Sequence, residues 1–111
     1  MKLSHYEKNG ACVVVVEGDI ISETVEQVEK YIEPFLTNQS IKALILNGEK
    51  IDYIDSSGLG FFVKIFKKLK EEERSFALCD LEMEVREMFG MANLDKFLNI
   101  YSTEHEALNS F

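Results

Sequence analysis

Residues 41–60 read IKALILNGEKIDYIDSSGLG, and this stretch decides the fold. Residues 41–47 are an almost continuous apolar run, which is typical of a strand covered on both faces of a sheet. Residues 48–55 carry the polar residues and the glycine of a loop, and a helix follows from about Ser57 to Glu73. A buried strand that leads through a loop into a helix predicts a strand–helix–strand unit with parallel strands.

Upstream of this unit the sequence predicts a β-hairpin. Residues 3–8 alternate weakly, as an edge strand does, and residues 11–17 form a run rich in valine. Asn9 and Gly10 stand between the two runs and tolerate positive φ, which predicts a tight turn.

The first helix is predicted from its N-cap and its apolar spacing. Ser22 or Thr24 can cap its start. Its apolar positions follow a period of 3.6 residues: Val25, Val28, Tyr31, Ile32, Phe35 and Leu36. Pro34 lies inside that pattern and predicts a kink or an early end, because proline has no N–H to donate.

Downstream, residues 75–79 and 97–101 predict two more strands, with a helix over residues 82–91 between them. Thr103 and Glu106 form a capping box for a short terminal helix. The element order is β-β-α-β-α-β-α-β-α. We therefore expect one α/β domain that spans all 111 residues, with a mixed, mostly parallel sheet of about five strands and about four helices.

The composition fits a folded domain, whose acidic residues indicate either a protein partner or only a role in solubility. The apolar share is 46% and the formal net charge is -8. That charge repels phosphates over a Debye length of about 8 Å, so nucleic acid and anionic membranes are not expected partners. No stretch approaches the length of a membrane span, and the N-terminus lacks a signal-peptide core. We expect a cytoplasmic protein with no membrane insertion.

Neither the cysteines nor the basic run near residue 70 predicts a ligand site. Cys12 and Cys79 each lie in an apolar, strand-like run, which favours two buried thiols over a disulfide or a metal site. The segment from Lys67 to Arg74 mixes both charges in the manner of a solvated helix end. No metal and no cofactor is predicted.

The junction between the loop and the second helix is the candidate site. Asp55, Ser56 and Ser57 stand at or just before a helix N-terminus, where side-chain oxygens accept hydrogen bonds from unpaired backbone N–H groups. Gly58 and Gly60 carry no side chain, and we expect them to leave the backbone and the serine accessible. An accessible hydroxyl of this kind can accept a phosphoryl group. A well-capped helix without further function is the alternative interpretation.

The helix after the junction predicts part of a partner surface. On a helical wheel, Leu59 lies on the side that faces the core. Phe61 and Ile65 fall on the margin, beside Lys64 and Lys68. We expect these two apolar side chains to be half-exposed and to contact a partner, although margin residues of a wide core face have the same pattern.

The run from Asp55 to Gly60, DSSGLG, resembles the signature loop of the STAS family, as found in anti-sigma-factor antagonists of sporulation and general stress control. Weaker likenesses to the family lie in residues 16–20 with Thr24, 44–47, 85–89 and 106–108. The resemblance covers nearly the whole chain and implies a STAS-like fold. The family often has an acidic residue where this chain has Ile21, which leaves the choice of partner open.

The resemblance also implies a regulatory cycle. Ser56 is then the residue that an anti-sigma factor with serine kinase activity phosphorylates, and Ser57 is its helix-capping neighbour. The unmodified protein binds the anti-sigma factor and frees a sigma factor for transcription; phosphorylation ends the binding, and a serine phosphatase restores it. The expected partner-binding residues are Asp19, Thr24, Asp55, Ser56, Ser57, Gly58, Leu59, Gly60, Phe61 and Ile65.

Catalysis is not expected. A serine hydrolase needs a nucleophile elbow and a histidine, but the Gly-x-Ser-x-Gly motif is absent, and His5 and His105 lie near opposite ends of the chain. No phosphate-binding glycine motif of a nucleotide enzyme is present. The alternative function is a STAS scaffold or adaptor outside a sigma circuit, such as a lipid-transport ATPase subunit or a stressosome-like component. A weak homodimer is left open.

Overall fold

The computed structural model describes residues 1–111 as five strands and four helices. The strands are β1 Lys2–Lys8, β2 Ala11–Glu17, β3 Ala43–Lys50, β4 Ser75–Cys79 and β5 Asn99–Tyr101. The helices are α1 Val25–Thr37, α2 Ser56–Glu71, α3 Met83–Met91 and α4 Glu104–Leu108. The predicted α/β class and the predicted element order are both confirmed.

The five strands form one sheet in the order β1-β2-β3-β4-β5. β1 pairs antiparallel with β2, and every other neighbour is parallel. The hairpin turn between β1 and β2 has the predicted chemistry, because Asn9 and Gly10 adopt φ values of 54° and 82°. Two residues with positive φ match the twist of the flanking strands.

Helices cover both faces of the sheet, but very unequally. α1, α2 and α3 pack on one face over a core of 20 buried residues, which includes Cys12, Val14, Phe62 and Phe89. The other face holds a cluster of eight buried residues, and only α4 covers it. Alternate residues of β2 point to opposite faces, so both faces of this strand are buried, as its valine run predicts.

Several element bounds differ from the predictions, most clearly in β3, α1 and β5. β3 continues to Lys50, where it pairs with Glu17 after a register shift that begins at Val15. α1 continues through Pro34 to Thr37, so the helix does not end early, and the predicted alternative of a kink at Pro34 stays a prediction. β5 is shorter than predicted because Phe97 and Leu98 belong to a turn, in which both N–H groups donate to the carbonyl of Leu94.

Arg74 is buried, which contradicts the prediction of a solvated helix end for this residue. Its side chain is 4% exposed. Its guanidinium donates to four backbone carbonyls at 2.7 to 3.0 Å, those of Phe35, Leu36, Asn38 and Ile41. It also donates to the Glu72 carboxylate at 2.8 Å. Arg74 therefore satisfies the carbonyls at the C-terminal end of α1 and joins that end to the start of β3.

We predict that Arg74→Ala lowers the free energy of unfolding by about 3 kcal/mol or more, because several buried carbonyls lose their donor at once. Urea denaturation followed by circular dichroism measures the change. The matched control is Arg86→Ala on α3, whose exposed side chain should cost no more than about 0.5 kcal/mol. Equal stability of the two variants would contradict the role of Arg74.

Candidate functional site

Ser56 is the first residue of α2 and its side chain is exposed. Ser57, next to it, is also exposed. The serine pair stands at the end of the segment that follows β3, at the edge of the sheet where the parallel strands end. Open α/β sheets place their sites at this edge. Ser56 is therefore an exposed residue at the strand-to-helix junction, as predicted.

Asp55 is the N-cap of α2, and its carboxylate joins two segments of the chain. Oδ1 accepts a hydrogen bond from the Gly58 backbone N–H at 3.1 Å. Oδ2 accepts from the Ser22 backbone N–H at 2.9 Å, across 33 positions of sequence. One side chain thus caps the helix that carries Ser56 and holds the segment that precedes α1 against it.

The backbones of these two segments also pair directly. Ile20 and Ile54 form an isolated parallel bridge, in which the Ile20 N–H donates to the Tyr53 carbonyl at 2.9 Å. The Asp55 N–H donates to the Ile20 carbonyl at 3.2 Å. Both isoleucines are buried. The residues just before Ser56 are therefore fixed by backbone hydrogen bonds and by apolar packing together.

Hydrogen bonds to the Asp55 carboxylate lower the pKa of Asp55 below its ordinary value of 3.8. Desolvation is the largest single influence and raises this pKa. The backbone N–H groups of Ser22, Gly58 and Ser57 act in the opposite direction and together outweigh it. Asp55 is therefore ionised at neutral pH, and a negative charge lies immediately beside Ser56.

Thr24 stands at the N-cap position of α1, but its side chain does not cap the helix. Its hydroxyl donates to the Asp19 carbonyl at 2.7 Å and accepts from the Ile21 N–H at 3.0 Å. These bonds close the turn between β2 and α1. Asp19 is exposed on that turn, and Ile21 is half-buried.

Three residues of the predicted partner surface are not accessible. Phe61 and Ile65 are 7% and 2% exposed and belong to the core, so the prediction that they are half-exposed is wrong. The wheel placed them on the margin, but the core that α2 packs against is wide enough to bury both. Gly58 is buried too, since its backbone lies against the carbonyl of Ile20 and the side chain of Ile54.

The other predicted residues do come together around the junction. Asp19, Ser56, Ser57 and Gly60 are exposed, and Leu59 is half-buried. Asp55 connects the turn before α1 to the start of α2, so residues far apart in sequence share one surface.

One large exposed residue close to Ser56 in sequence, Tyr53, was missed by sequence reasoning. Asp52 is exposed, and Tyr53 is 49% exposed, in the segment between β3 and α2. A large aromatic residue in a polar loop just before the serine pair is the signal that could have identified Tyr53. No group of three or more His, Cys, Asp or Glu side chains converges in a way that could hold a metal ion.

The match to known protein families agrees with this geometry. The model of the STAS domain matches residues 2–107. The chain belongs to the STAS domain family. None of its helices is long and apolar enough to cross a lipid bilayer.

This STAS domain is similar to curated and solved proteins that are named anti-sigma factor antagonists. It is 24% identical over 108 residues to the anti-sigma F factor antagonist of Paenibacillus polymyxa. This match covers 97% of this chain and 91% of the relative. Its fold is similar to that of the anti-sigma factor antagonist SpoIIAA in its unphosphorylated form, with a TM-score of 0.79 and 22% identity. That match covers 97% of this chain and 94% of the SpoIIAA chain. The phosphorylated form of the Bacillus cell fate determinant SpoIIAA gives a TM-score of 0.71, with 21% identity and 97% coverage of each chain.

The same substitution, glycine to alanine, is expected to have opposite effects at Gly58 and Gly60, two residues near the start of α2. A Cβ at Gly58 would lie 2.6 Å from both the Ile20 carbonyl oxygen and Ile54 Cγ2, whereas a Cβ at Gly60 would meet nothing within 4 Å. We predict that Gly58→Ala costs about 1–3 kcal/mol of stability through overpacking. Gly60→Ala, the matched control, should add up to about 1 kcal/mol because alanine favours the helix. Thermal and urea unfolding of both variants measure the difference, and a neutral Gly58→Ala would contradict the close packing.

The lowered pKa of Asp55 predicts a pH-dependent contribution to stability. A carboxylate with a depressed folded-state pKa stabilises the fold above its unfolded-state pKa, and that stability is lost as the pH falls through the folded-state value. Wild type should therefore exceed Asp55→Asn in free energy of unfolding at neutral pH, and the difference should shrink as the pH falls below 3.8. Asp52→Asn in the same exposed loop is the matched control. A difference that grows toward acid pH would contradict the hydrogen-bonded carboxylate.

Proposed function

We propose that this STAS domain is a cytoplasmic anti-sigma-factor antagonist, switched by phosphorylation of Ser56. The unmodified domain binds an anti-sigma factor that is also a serine kinase. Phosphorylation releases the domain, and a serine phosphatase restores it. The domain catalyses no reaction of its own. The single observation that carries this proposal is the exposed Ser56 at the start of α2, on a backbone that Asp55 holds in place.

The accessible serine supports the phosphorylation step. A kinase must bring the γ-phosphate of ATP in line with the attacking hydroxyl, so the hydroxyl has to be uncovered. Ser56 meets this requirement, and Phe61, Ile65 and Gly58 do not interfere because they lie below the surface. The curated relative of this chain in Paenibacillus polymyxa is named an antagonist of anti-sigma F factor, which supports the class of partner.

The Asp55 carboxylate supports the proposed switch. It already accepts from the Gly58 N–H at the start of α2, so a phosphate on Ser56 would gain little more than the helix dipole there, worth about 0.3–1 kcal/mol. The dianionic phosphate would also stand beside the ionised Asp55. The modified surface therefore keeps a strong, poorly compensated negative charge that any docking partner must meet.

The magnitude of this charge effect is sufficient for a switch. The charge of the phosphate and a like charge of the docking partner, about 4 Å apart near a protein surface, repel by about 4 kcal/mol. Each 1.4 kcal/mol is about tenfold in affinity, so phosphorylation should weaken the complex by roughly a few hundredfold. The backbone should change little, because α2 is anchored through the buried Phe62 and Leu69. The switch then acts by electrostatic obstruction and not by refolding.

We predict that an anti-sigma factor with serine kinase activity, given ATP, transfers one phosphate to Ser56. Mass spectrometry of proteolytic peptides locates the phosphate. Ser56→Ala should abolish the transfer, and Ser57→Ala, which alters the exposed neighbour, should retain it. Isothermal titration should then show the few-hundredfold loss of affinity for the phosphorylated protein.

Modification at Ser57 in place of Ser56, or equal affinity of the two forms, would contradict the proposal. A protein that binds no anti-sigma kinase, but copurifies stably with a transporter subunit or a large scaffold assembly, would instead support the adaptor function. Amide NMR spectra that show a melted α2 after phosphorylation would contradict the electrostatic mechanism while leaving the site intact.

A further inference from the structure

The face of the sheet opposite α1, α2 and α3 depends on one very short helix. α4 has five residues and contributes only two buried side chains to this face, Ala107 and Leu108. The sheet residues beneath it are mostly small, and they include Ala43, Ala77 and Cys79. An isolated helix of this length is unstable in water, so α4 depends on its contacts with the sheet.

Glu104, the first residue of α4, makes two side-chain hydrogen bonds to the sheet. One carboxylate oxygen of Glu104 accepts from the Tyr6 hydroxyl on β1, which is 98 positions away in sequence. The other accepts from the Asn47 side-chain amide on β3 at 3.1 Å. The same amide donates to Asp80 at 3.2 Å. Glu104 is half-buried, so the first residue of α4 is tied to two strands that are distant in sequence.

The Tyr6 hydroxyl is held as a donor in this contact. Burial, and then its hydrogen bond to the Glu104 carboxylate, raise the pKa of Tyr6 to about 12. The hydroxyl therefore keeps its proton throughout the physiological range of pH. Hydrogen bonds to an ionised acceptor are stronger than neutral ones.

We propose that α4 is a detachable strap, which opens as a unit while the rest of the fold stays intact, and that the Tyr6–Glu104–Asn47 contact is its latch. Opening uncovers the second face of the sheet, including Cys79 and the apolar residues beside it. The large core under α1, α2 and α3 does not take part, because α4 contributes nothing to it. Such subglobal opening is expected where few apolar contacts hold an element.

The two cysteines of the chain offer an internal measurement of this opening. Cys79 lies beneath α4, and Cys12 lies in the core on the opposite face. Both thiols are buried and free. Burial raises the pKa of each thiol, most strongly that of Cys79, so neither reacts in the closed protein. Opening of α4 exposes Cys79 alone, whereas global unfolding exposes both.

The test is the rate at which N-ethylmaleimide labels each cysteine of the native protein, followed by peptide mass spectrometry. Cys79 should react at least about tenfold faster than Cys12. Tyr6→Phe removes only the latch hydroxyl and should accelerate labelling of Cys79 by about fivefold to tenfold, without accelerating that of Cys12. Glu104→Ala should have a larger effect in the same direction, since it removes both hydrogen bonds.

Tyr31→Phe is the matched control, because its hydroxyl is bonded to His5 on the other face of the sheet. It should leave the labelling of Cys79 unchanged. One common labelling rate for both cysteines would overturn the strap, because only global unfolding would then expose them. Unchanged Cys79 labelling in both Tyr6→Phe and Glu104→Ala would overturn the latch.

Discussion

The arrangement of this domain around its serine depends on the two hydrogen bonds of the Asp55 carboxylate. One caps α2, and the other reaches the Ser22 backbone in the segment before α1. Without a charged acceptor at this point, two backbone donors from separate parts of the chain would be left unpaired near the surface. Since Ser56 follows directly, its position is set by an interaction between loops and not by the helix alone.

Packing beneath the site reinforces that constraint. The bridge between Ile20 and Ile54 brings two buried side chains against the bare backbone of Gly58. A glycine is needed there because any side chain would overlap backbone, whereas Gly60 two positions later faces open space. The DSSGLG run thus combines three functions in six residues: a cap, an exposed hydroxyl and a close contact with the neighbouring loop.

The helices on the two faces of the sheet are held by buried clusters of different size. The 20-residue core on one face holds α2, and hence Ser56, in a rigid frame. The other face has eight buried residues under α4 and relies on side chains such as Glu104 and Asn47 for its closure. The exposed serine of α2 therefore lies above the larger core and only a small cluster holds α4, and apolar stabilisation grows with the area that is buried.

The sequence by itself determined the element order, the hairpin turn at Asn9 and Gly10, the strand cores and the place of Ser56 at a helix start. These follow from local periodicity and turn chemistry, which act over a few residues. Only the tertiary structure decided that Phe61 and Ile65 are buried and that Arg74 joins α1 to β3. It also decided that Glu104 meets Tyr6. The physical reason is that burial and long-range hydrogen bonds depend on which elements pack together. A local sequence pattern does not encode the width of the core, and it does not encode which distant carbonyls need a hydrogen-bond donor.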